Sequence, residues 1–117
     1  MQELTIPPSA MHILLEQLRA LEVEVRRDGE GRDMRRAELR AEIEGLNREQ
    51  QHELVALSWI GRGDFSEGDW TEAKALAAER HVGPTYDYLV AHPLVSEHIA
   101  AGLEEIGHDH LMLDGEY

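Results

Sequence analysis

The sequence predicts an all-α protein, a compact bundle of five to six helices in a single domain with a flexible C-terminal tail. Apolar residues recur at spacings of three and four along most of the chain, which places them on single faces of helices. Glycine and proline punctuate these runs, and capping residues stand just ahead of several of them. With 42% hydrophobic and 30% charged residues over 117 positions, the chain has enough apolar surface for one core and the size of one domain.

Pro7 and Pro8 close an opening extended segment, and Ser9 is placed to cap a first helix running to Arg27. Met11, Leu14, Leu18, Leu21 and Val25 form its stripe. A glycine-containing loop, residues 28–33, precedes a second helix from Met34 to Gly45 with Leu39, Ile43 and Leu46 on one face. Its Glu38–Glu42 spacing is repulsive and Arg36 with Arg40 and Glu44 mixes repulsion with attraction, so charge pairing adds little and burial of the stripe has to stabilise it.

Asn47 and Gln50 fit a capping box that opens a third helix, Arg48 to Ile60. That helix is apolar on more than one face, as expected of a central element. Gly61 is the expected left-handed terminator. Ser66 and Asp69 suggest the next box and a fourth helix from Glu67 to His81. Pro84 permits a short fifth helix to Ala91, and Pro93 separates it from a sixth, Leu94 to Ile106, stopped by Gly107. The expected organisation is one helical domain over 1–107, with a helical hairpin at 9–46 and an acidic helical core at 47–107, followed by a tail at 108–117.

The formal net charge is −13, from 24 acids against 11 bases. Such a surface repels nucleic-acid phosphates and anionic membranes, so neither is an expected partner. The acids gather late: residues 1–46 hold 10 acids and 7 bases, residues 47–117 hold 14 and 4. The absence of cysteine removes disulfide, thiolate and cysteine-zinc chemistry. No secretory signal or membrane span is recognisable, and the expected location is the cytoplasm.

Leu54-Val-Ala-Leu-Ser-Trp-Ile-Gly-Arg-Gly-Asp64 carries a resemblance, supported by Asp69-Trp70, Tyr88-Leu89, His92-Pro93-Leu94 and Gly102-Leu103-Glu104. The segment resembles the signature of a family of short bacterial proteins known only as a domain of unknown function, in which it reads Leu-Val-Ala-Leu-x-Trp-Leu-Gly-Arg-Gly-Asp. The resemblance implies a helical bacterial protein and no activity, substrate or cofactor.

The chemistry-bearing residues do not assemble into a site by spacing alone. His108 and His110 with Asp109 and Asp114 have metal-binding side chains but lack an ordered framework, so no metal or cofactor is assigned. The adjacent Glu104 and Glu105 point about 100° apart on a helix and do not pair as acid and base. No catalytic residue is assigned. Trp59, Gly61, Arg62, Gly63, Asp64 and Trp70 form the candidate interaction or structural motif, because arginine beside tryptophan can stack or anchor an interface. Arg62→Ala is expected to cost roughly 1 to 3 kcal/mol if the guanidinium bonds within the chain.

The functional expectation is a noncatalytic helical protein-interaction or regulatory module with a protein partner, and a homodimer through helix one is a further expectation. Two alternatives differ in class: a small-molecule or metal-dependent enzyme, and an acidic decoy that mimics nucleic acid.

Overall fold

The computed structural model describes residues 4–27, 32–80, 84–92 and 94–107, with all their side chains except those of 24–27, 32, 33 and 67. Among them are six α-helices and no strand: α1 Pro8–Arg27, α2 Arg32–Glu44, α3 Arg48–Arg62, α4 Trp70–Arg80, α5 Thr85–Val90 and α6 Val95–Glu105. The all-α expectation holds. The proposed tail, with His108, Asp109, His110 and Asp114, lies outside the described residues.

Helix ends follow local chemistry, with three departures from the sequence reading. Pro8 occupies the first turn, where its missing N–H is harmless and its fixed φ suits a helix. Met11 N–H bonds the Pro7 carbonyl at 3.0 Å, and Ser9 sits inside α1 instead of capping it. At α3 the capping box is complete: Gln50 N–H donates to Asn47 Oδ1 at 2.8 Å and Asn47 N–H to Gln50 Oε1 at 3.0 Å. That helix continues through Gly61 to Arg62, and Gly63, with φ +96°, takes the left-handed position.

The third departure lies before α4. Ser66 Oγ donates to Asp69 Oδ2 at 3.0 Å, and Asp69 N–H bonds the Ser66 carbonyl at 2.9 Å. Because the side chains bond each other, the residues Glu67–Asp69 close as a short 3₁₀ turn and the α-helix starts only at Trp70. Gly107 has φ +91° just beyond α6, in agreement with its terminating role.

Eight consecutive residues of α3, Glu53 to Ile60, are buried, so this helix is covered on all sides. It packs on α6, α4 and α5, while α1 packs on α2 and α6, and α2 on α5. Buried apolar residues from all six helices join one cluster. Met11, Leu14, Leu18 and Leu21 belong to it, so these four residues of the stripe are covered within the chain, while the Val25 side chain lies outside the described residues. On the remaining described faces of α1, Ile13 (42%) and Val23 (36%) are exposed.

The closest packing is between α3 and α6. A Cβ on Gly61 would overlap the His98 carbonyl, and one on Gly102 would overlap that of Leu57. Glycine at both positions lets two helix backbones approach without side chains between them, which is why Gly61 cannot be read as a loop residue.

The N-terminal segment is held by one buried acid. Glu53 is fully enclosed, and its carboxylate accepts from Thr5 N–H at 2.8 and 3.1 Å and from Ile6 N–H at 3.2 Å. Burial pushes the Glu53 carboxyl above its ordinary value, while the Thr5 and Ile6 bonds and the Lys74 charge pull the other way. Among the described residues no helix is long and apolar enough to cross a membrane.

Candidate functional site

The C-terminal turn of α3 builds one wall of a cleft. Gly63 N–H bonds the Ile60 carbonyl at 3.1 Å and Asp64 N–H bonds that of Trp59 at 2.9 Å. These two bonds close a Schellman turn, which satisfies carbonyls left over at the helix end. The turn sends Asp64 back beside Arg62, whose Nε reaches Asp64 Oδ2 at 2.9 Å. The chain then folds Phe65 onto Trp59, with ring centroids 5.7 Å apart and planes inclined by 27°.

Helix α5 supplies the floor and α4 the opposite wall. Trp59 Nε1–H donates to the Tyr88 hydroxyl at 2.7 Å, which fixes both aromatic side chains. Leu76, Ala77 and Arg80 face the same space, which is an open cleft of about 530 Å³. The Arg62 side chain keeps about a third of its surface in solvent. Hydrogen bonding to Asp64 raises its pKa further above an already high value, with Tyr88 adding to the effect and partial burial opposing it. Arg62 is therefore a fixed positive charge. Arg80 has no ion pair among the described residues.

Of the six candidate positions, the structure brings Trp59, Arg62 and Asp64 to this cleft. Gly63 makes the turn, and Gly61 faces α6. Trp70 is 2% exposed and packs in the core, with the Lys74 ammonium 5.4 Å from its ring centroid. Sequence spacing did not reveal Phe65, Arg80 or Tyr88. Phe65 carries one usable signal, since a hydrophobic residue shortly after a left-handed glycine commonly folds back on the helix end. Arg80 and Tyr88 come from other helices and have no local signal. Of the two α5 tyrosines, Tyr86 is buried and Tyr88 is half-buried.

These groups can stack on a flat or apolar side chain and bond to an anion. Among the described residues no three His, Asp or Glu side chains are grouped so as to hold a metal ion. A sequence model of the family described as "Protein of unknown function (DUF3775)" matches residues 36–108. The match spans more than half of the chain and contains every residue of the cleft. No curated protein and no solved structure matched the chain.

Proposed function

The chain belongs to the DUF3775 family, and from that premise we propose that it is a noncatalytic interaction module that takes up a short segment of another protein in the cleft between α3, α4 and α5. The carrying observation concerns charge. Residues 47–117 contain four bases, Arg48, Arg62, Lys74 and Arg80, and two of them line this one cleft. Asp64 neutralises Arg62, whereas Arg80 has no ion pair among the described residues and so gives the site its available charge. The matching occupant is an apolar or aromatic side chain beside a carboxylate, the first stacked on Trp59, Phe65 and Tyr88 and the second bonded to Arg80.

The chemistry also favours gripping over proton transfer. A guanidinium offers N–H donors and no acceptor, and the Tyr88 hydroxyl already accepts from Trp59. Selection from a random peptide library displayed on phage tests the reading. Enriched peptides should pair an aromatic or large aliphatic residue with Asp, Glu or a free C-terminus within two positions. Enrichment of basic peptides would contradict it.

A second copy of the chain is a separate proposal. With Met11, Leu14, Leu18 and Leu21 buried, a homodimer through α1 would rest on the exposed Ile13 and Val23. Changing both to glutamate should then convert a sedimenting dimer to monomer at unchanged melting temperature, and a wild-type protein that sediments as a monomer would contradict the proposal.

A further inference from the structure

A second cleft, of about 400 Å³, opens on another side of the molecule between α1, α2, α5 and the start of α6. Its apolar surface comes from Leu18 and Leu21 of α1, Val90 of α5, and Leu94 and Val95 at the beginning of α6. Leu94 is 47% exposed at the mouth. Arg36 and Arg40 of α2 line the same space. The volume lies within the usual range of small-molecule sites, about 300 to 1,000 Å³.

The two arginines are the unusual feature. They are four residues apart on one helix, where like charges repel. Acids outnumber bases by 24 to 11 in this chain, yet among the described residues neither arginine has an ion-pair partner. Arg40 is not loose: its guanidinium lies 4.5 Å from the Tyr86 ring centroid, and Tyr86 is only 3% exposed. The charge is thus held in place by a ring fixed in the core.

Of the two acids that share the lining, Glu22 is engaged elsewhere. Glu22 accepts from Ser96 N–H at 3.0 Å and from Ser96 Oγ at 2.7 Å. Its charge is directed to the first turn of α6, where a carboxylate is favoured. Asp87 is exposed on α5. His92 Nδ1 lies 3.0 Å from the Tyr88 carbonyl, to which it can only donate.

We propose that this cleft binds a small amphipathic carboxylate, with its head group between Arg36 and Arg40 and its apolar body along Leu18, Leu21, Val90 and Val95. Charge complementarity selects the anion, and the apolar lining selects the attached hydrocarbon or ring. A purely inorganic anion would leave the apolar lining unused.

The experiment is a titration of the full chain at neutral pH and submicellar concentration with decanoate, decanol and decyltrimethylammonium, read from ¹³C-methyl NMR. Decanoate should give saturable shifts at the Leu18, Leu21, Val90 and Val95 methyls and bind at least about tenfold more tightly than the other two. Arg36→Gln with Arg40→Gln should remove that preference. Both side chains are exposed, so the fold should be kept, and a circular dichroism spectrum checks it. Arg36→Glu with Arg40→Glu should reverse the order in favour of decyltrimethylammonium. Equal binding of the three probes, an affinity unchanged in the double glutamine variant, shifts confined to Val55 and Leu76 in the other cleft, or no shift at millimolar decanoate would each overturn the proposal.

Discussion

Glu53 ties the N-terminal segment to the centre of the molecule through partners 47 and 48 positions away. Removing its side chain leaves the Thr5 and Ile6 N–H groups without their acceptor, so Glu53→Ala should lower stability by about 2 to 4 kcal/mol in urea denaturation. The native carboxyl is raised above 4.5 by burial. The native state therefore binds this proton more tightly than the unfolded state. The contribution of Glu53 is greatest below the unfolded value and falls as pH rises through the interval between the two values. The stability of Glu53→Gln relative to wild type should accordingly increase as pH rises above about 4.5; a difference that is flat with pH, or of opposite slope, would refute the assignment. No local pattern marks Glu53, because a lone glutamate at the edge of an apolar run reads as a solvated position. Arg62 differs, since its neighbours in sequence are its neighbours in space. Its pair with Asp64 is half in solvent, which lowers the expected cost of Arg62→Ala from the 1 to 3 kcal/mol range to about 0.5 to 1 kcal/mol. Thermal denaturation checks that value.

At the level of elements, the six helices were legible because each must bury a stripe, and burial at spacings of three and four leaves a direct imprint on the sequence. Their ends were less so. Two glycines close together, Gly61 and Gly63, compete for the role of terminator, and only the presence of α6 decides between them. Gly61 is needed for contact and Gly63 for its positive φ. The two substitutions to alanine should therefore differ. Gly63→Ala meets no neighbouring atom and should cost about 1 to 2 kcal/mol of left-handed strain. Gly61→Ala drives a methyl into the α6 backbone, and the helices must separate, at a cost of about 3 kcal/mol or more. Chemical denaturation of both variants measures the difference, and equal losses would contradict the close crossing of α3 and α6.

Across the whole molecule, the acidic surplus and the all-α class were both readable from composition and periodicity. The cleft was readable only in part. Trp59, Arg62 and Asp64 are close in sequence, whereas Tyr88 and Arg80 arrive through the packing of α5 and α4 beside α3. A single sequence records the first kind of proximity and not the second. In the proposed binding surface, the charge with no ion pair among the described residues belongs to Arg80. Fluorescence anisotropy of a selected acidic peptide with wild type and Arg80→Glu, with melting temperatures recorded in parallel, tests that proposal most directly. Arg80 is exposed on the last turn of α4, so the variant should melt near the wild-type temperature while its Kd rises at least about tenfold. An unchanged Kd in a folded Arg80→Glu protein would contradict the claim.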